Sequence, residues 1–181
     1  MVVTILEILK YTIPAIIVLI ASYLIVQKFL VSELKRKQLA LLQESQDITI
    51  RLRLQAYERL ALYAERIHPR NLIPRVYQGG MTVADLQHAL IFNIRTEFEH
   101  NLSQQIYVSK QVWDTVRNVK EQEMNLVNQI AKQLNPEASA KELHARMIDY
   151  IMSVPGDLPG DIALSIINEE ARRILSYGAQ G

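Results

Sequence analysis

Apolar and polar positions along this chain fall into distinct patterns. From Tyr11 to Gln27, YTIPAIIVLIASYLIVQ, no charge interrupts an Ile/Val/Leu-rich run, and Phe29, Leu30 and Val31 extend it past Lys28. Apolar residues all round a helix, with no polar stripe, are the composition of a lipid-facing span. The uncharged core covers roughly 26 Å at 1.5 Å per residue, enough to cross a bilayer if Lys10 and Lys28 snorkel to its surfaces. Beyond it, Leu34, Leu41 and Ile48 stand seven apart, and Ile50, Leu54, Tyr57, Ala61 and Ala64 step by four and three. The strand-like alternation of Ile48, Ile50, Leu52 and Leu54 is too short to outweigh this, so the spacing predicts one helix to about Ile67. Pro69 ends it, because proline disfavours helical geometry in the residue before it. Apolar positions on two faces around 48–62 imply that this length touches more than one neighbour.

The connection PRNLIPRVYQGG is long for a helical hairpin, and its Leu72, Ile73, Val76 and Tyr77 are expected to pack onto the bundle. Thr82 with Asp85 three residues on reads as a weak capping box, with Met81 placed to staple against Leu86. Leu86, Leu90, Ile94, Phe98, Leu102 and Ile106 follow at every fourth position, and the phase resumes at Val112, Val116, Val119, Leu126, Ile130 and Leu134. Helix therefore covers most of 82–134, either as a continuous rod or broken near 105–109 with Ser109 as an N-cap. Asn135-Pro136 and Ser139-x-x-Glu142 open a helix to about Val154. PGDLPGD is a turn, and Ile162 to Tyr177 a last helix with Leu164, Ile167, Ala171 and Ile174 on one side. No alternation lasts long enough for a sheet. The predicted fold is all-α: an N-terminal transmembrane helix continuing into a long helix, followed by a cytoplasmic helical bundle, with an anchor over 1–31 and a helical domain over 32–181.

Charge refines the topology. Setting aside Glu7, Lys10 and Lys28 from totals of 20 basic and 19 acidic residues leaves 18 of each, and a neutral body argues against a nucleic-acid partner. Lys28, Lys35, Arg36 and Lys37 follow the span against Lys10 before it, so the positive-inside rule puts the N-terminus outside and the C-terminal body in the cytoplasm. The segment lacks a positive n-region and a small-x-small cleavage site, as a cleaved signal peptide would require. The absence of cysteine excludes disulfides, thiolate zinc sites and Cys nucleophiles.

Candidate chemistry concentrates in EFEHNLSQQIYVSKQVW, Glu97 to Trp113. Glu97-x-x-His100 and Glu65-x-x-His68 are the spacing that di-iron bundles use in pairs, with two further glutamates; Glu123 and Glu169 are available but not singled out. His68, in the last turn before Pro69, is badly placed for a mid-helix site, and no metal or other cofactor is expected. At 100° per residue, Asn93, Glu97, Asn101 and Gln105 instead form a polar row beside the apolar row Ile94, Phe98, Leu102 and Ile106, while His100 and Gln104 point toward solvent. Amides beside an apolar seam can bond across to another helix and fix its register. Trp113 falls in phase with Ile106 and Val116, which suits core or interface packing for it and for Tyr107. The expected partner-binding residues are Asn93, Glu97, Phe98, Asn101, Leu102, Gln105, Tyr107 and Trp113. No phosphate-binding glycine loop and no nucleophile–base spacing is present.

EFEHNLSQQIYVSKQVW and ERIHPRNLIPRV, preceded by a single span, resemble a family of short, uncharacterised membrane-anchored proteins of Bacteroidota. The resemblance implies a bacterial inner-membrane location and no particular activity. The expected function is that of a non-catalytic membrane-anchored scaffold or accessory subunit. It would be held in the lipid bilayer through residues 11–31 and contact an inner-membrane protein complex or a second copy of itself. The alternative is an enzyme or sensor with a carboxylate–histidine metal centre at Glu65, His68, Glu97 and His100.

Overall fold

Helix α1 (Val2–Ile67) is unbroken through Pro14 and contains the apolar run. The computed structural model describes residues 2–178, and the chain divides into two compact units, Met1–Ile48 and Thr49–Gly181. In the first unit the side chains from Thr12 to Ser32 all stand exposed. Among the described residues it lies in the one helix long and apolar enough to cross a membrane. Leu34, Leu41 and Ile48 are exposed too.

The second unit is an all-helical bundle. The end of α1 is followed by α2 (Pro69–Val76), α3 (Val83–His100), a 3₁₀ turn (Leu102–Ile106), α4 (Lys110–Ala131), α5 (Ala140–Ser153) and α6 (Pro159–Gly178). The segment after His68 is thus a short helix, and it buries Leu72, Ile73 and Val76 as the spacing predicts. From α1 the core takes Ala56, Tyr57, Leu60, Tyr63, Ala64 and Ile67, whereas Leu52 and Leu62 on the other face stay exposed. From α3 it takes Val83, Leu86, Leu90 and Ile94.

The helix starts follow their caps. The Thr82 hydroxyl accepts the amide of Asp85, whose carboxylate accepts the amide of Thr82, giving a reciprocal capping box. The starts of α3 and α5 are also stitched through the backbone: Val83 N–H donates to Ala138 C=O at 2.9 Å, and Ala140 N–H donates to Met81 C=O at 3.0 Å. Gly80 precedes this clamp at φ 90°, a left-handed geometry that favours glycine. The open question over 82–134 resolves as a break: α3 ends at His100, a 3₁₀ turn follows, and Ser109 caps α4 by accepting the amide of Val112.

Candidate interface and the buried polar cluster

The break in α3 redistributes the predicted row. Asn93 donates its side-chain amide to Ala89 C=O, and Asn101 donates to Glu97 C=O, both at 2.8 Å. Each of these bonds stays within its own helix and uses one N–H of the amide; Asn101 is the residue that terminates α3. Gln105, past the break, leaves the row and is exposed, while Gln104, expected toward solvent, is buried. A 3₁₀ turn advances 120° per residue where an α-helix advances 100°, and this rotates both positions off the predicted face. The apolar row ends for the same reason: Ile94 is buried and Phe98 half-buried, but Leu102 is 40% and Ile106 72% exposed.

The contact across helices is made by the acid. Glu97 Oε1 lies 2.8 Å from Arg66 Nε and 3.8 Å from Arg75, joining α3 to the end of α1 and to α2. Beside this pair a cleft of about 410 Å³ is lined by Gln55, Glu58, Arg59, Tyr63, His100 and Asn101, among others. Next to it, Phe98 stacks on Trp113 at 5.5 Å and meets Tyr63 at 6.2 Å. The Lys120 ammonium sits 4.5 Å from the Phe98 centroid, a cation–π contact. Tyr107 is half-buried and its carbonyl accepts from Arg53 Nε at 3.1 Å. Of the eight predicted residues, Asn93, Glu97, Phe98, Asn101, Tyr107 and Trp113 are thus engaged within the bundle, and Leu102 and Gln105 face out.

A shallow groove opens where α3 meets α4. Phe98, Leu102 and Met124 supply its apolar lining, and Arg95, Glu99, Lys120 and Glu121 supply charge of both signs. Phe92, seven residues before Glu99 and so on the same helix face, is 68% exposed. Phe92 was not among the predicted residues, although its place off the Leu86–Leu90–Ile94 ladder was a signal available in the sequence.

The residues of the metal alternative do not come together. Glu65 accepts the Asn71 side chain, Glu97 holds Arg66, and His100 is exposed. His68 is the N-cap of α2, and its Nδ1 accepts the Arg70 amide at 3.2 Å, which leaves the proton on Nε2 and makes that atom a donor. Among the described residues, no group of three or more His, Cys, Asp or Glu side chains is placed to hold a metal ion.

His68 belongs to a different cluster, one missed in the sequence. Glu123, in the middle of α4, is 2% exposed, and burial, with Asp161 adding repulsion, pushes its carboxyl up to about 8. Glu123 stands seven residues after Val116 and seven before Ile130, both buried; an acid in an apolar register was the available signal. Three buried polar atoms, Tyr63 Oη, His68 Nε2 and Glu123 Oε1, make no hydrogen bond. Burial, followed by the charge of Glu123, raises the Tyr63 phenol, so both groups are neutral around pH 7.

No curated protein and no solved structure shows detectable similarity to this chain. A family model covers residues 3–174, nearly the whole length, and the chain accordingly belongs to DUF7935, a family of unknown function.

Proposed function

We propose that this protein is a non-catalytic, membrane-anchored helical adaptor: an accessory subunit of a bacterial inner-membrane complex whose bundle, on the cytoplasmic side, holds a partner protein. The anchor is the exposed apolar run near the N-terminus, and the basic residues Lys28, Lys35, Arg36 and Lys37 supply the orientation. The observation that carries the partner role is a groove whose apolar lining includes the exposed Leu102 and whose rim carries mixed charge, with the exposed Phe92 on the same face of α3. An apolar centre with a polar edge is the anatomy of a protein contact, and large exposed aromatic residues are its usual anchors. A neutral surface of this kind favours a protein over a nucleic acid.

The test is site-specific photocrosslinking in intact cells with a photoreactive residue at Phe92, Leu102 or, as a control on another helix, Met152, itself 81% exposed. The expected result is one discrete adduct in the membrane fraction from Phe92 and Leu102 and none from Met152, with the Leu102 adduct lost when Phe92→Asp is added. Adducts of equal pattern from all three positions, or from none, would refute the groove as a docking site.

A further inference from the structure

The unpartnered atoms around Glu123 lie where three segments meet. His68 sits at the corner between α1 and α2, Glu123 on α4, and Gly160 and Asp161 in the first turn of α6. A methyl group on Gly160 would stand 2.8 Å from His68 Cδ2 and 3.8 Å from Glu123 Oε1, so the imidazole edge and the carboxyl flank the same point of the α6 backbone. Asp161 Oδ2 is occupied, accepting the Leu158 amide at 3.1 Å, and its Oδ1 lies 3.6 Å from His68 Nε2. That separation is beyond a good hydrogen bond, so the two atoms do not satisfy each other, and a water lying to one side of the pair can serve both.

We infer that His68, Glu123 and Asp161 form an internal binding site for a single water molecule, which ties the start of α6 to α4 and to the α1–α2 corner. The chemistry of each group is complementary. His68 Nε2 carries the proton because Nδ1 accepts from Arg70, so it donates to the water oxygen. The two water hydrogens are then donated to Glu123 Oε1 and Asp161 Oδ1. Three hydrogen bonds is the usual complement of a buried water, and two of the three groups it serves are otherwise orphaned. The alternative of leaving the atoms unpaired costs about 1–3 kcal/mol for each. A side chain on Gly160 would run into the imidazole, so glycine is what lets His68 and Glu123 approach this turn of α6 so closely. Tyr63 on α1 also faces this region, where it feels the charge of Glu123 and, less strongly, of Glu97 and Glu121.

The experiment uses the full-length chain in lipid nanodiscs, with water as the probe. Oxygen-17 magnetic relaxation dispersion counts long-lived internal waters, and a water-to-protein nuclear Overhauser effect at the His68 ring N–H locates one. The wild type should show the effect at His68 Nε2–H, and Glu123→Leu should lose the dispersion amplitude of one water. Glu123→Gln, which keeps an acceptor, should retain it. No water contact at His68 in the wild type would overturn the inference without any variant having to fold. An amplitude unchanged in Glu123→Leu would overturn it as well.

Discussion

Replacing Glu123 by Gln should remove most of the pH dependence of this bundle's stability between about pH 4.5 and pH 8. The carboxyl titrates at 4.5 in the unfolded chain and is pushed to about 8 in the folded one, first by burial and then by Asp161. Between those values the folded state keeps a proton that the unfolded state has lost, so stability falls as pH rises. It is unaffected below the lower value and falls no further above the upper one. At 1.36 kcal/mol per unit, the shift of roughly 3.5 units corresponds to a loss on the order of 5 kcal/mol across the window. Gln has the same shape and no proton to lose, so the difference between the two proteins isolates this group from every other titration they share. Trp113, the single tryptophan, stacks on Phe98 inside the same bundle and reports unfolding directly by fluorescence. Denaturant titrations at half-unit steps from pH 5 to pH 8.5 should show the stability of wild type relative to Glu123→Gln falling by about 1.4 kcal/mol per unit, then levelling. A difference that does not change with pH would mean that Glu123 is ionised in the folded state, and the account of its burial would fail.

Three further outcomes follow from the contacts. Thr82→Ala removes the hydroxyl half of the capping box and should lower stability by about 1 kcal/mol, read as a shift in the same denaturation midpoint. Glu97→Gln should cost less than about 1 kcal/mol, because Arg66 is more than half exposed and solvent screens the pair; a larger loss would show that the contact is a structural pivot. Phe92→Asp should leave stability within about 0.5 kcal/mol of wild type while abolishing the crosslink at Leu102, which separates a docking role from a packing one.

Periodicity carried the sequence reading a long way. The Leu86–Leu90–Ile94 ladder, the caps at Thr82 and Ser109 and the inward set on α2 all lie where spacing and turn chemistry put them, because each depends on residues within one helical turn. What was not legible depends on contacts distant in sequence or on where a helix stops. Extending the i+4 row through Asn101 assumed an unbroken α-helix, but the Asn101 side chain bonds back to Glu97 and a tighter turn takes over, so Leu102, Gln104 and Gln105 turn to other faces. His68 was read as the residue before a proline and as half of a Glu-x-x-His pair, not as a helix cap. Its side-chain role arises because the start of α6 packs against the α1–α2 corner, a tertiary event without a local signature, whereas the burial of Glu123 had one in its apolar register. The apolar run near the N-terminus was legible by composition alone, and its described side chains from Thr12 to Ser32 stand exposed.

The backbone stitch between the first residues of α3 and α5 also bears on how the bundle comes apart. Val83 and Ala84 donate to carbonyls just before α5, and Ala140 donates to one just before α3, across some fifty-odd residues of sequence. At an ordinary helix start these amides would be the first to fray and exchange with solvent. Here one helix cannot unwind from its N-terminus without exposing the amide of the other, so the two openings become a single event. In native-state hydrogen exchange, the amides of Val83, Ala84 and Ala140 should share one opening free energy. The α3–α4 hairpin enclosed between them should then behave as one cooperative unit, closed at its seam like a clasp.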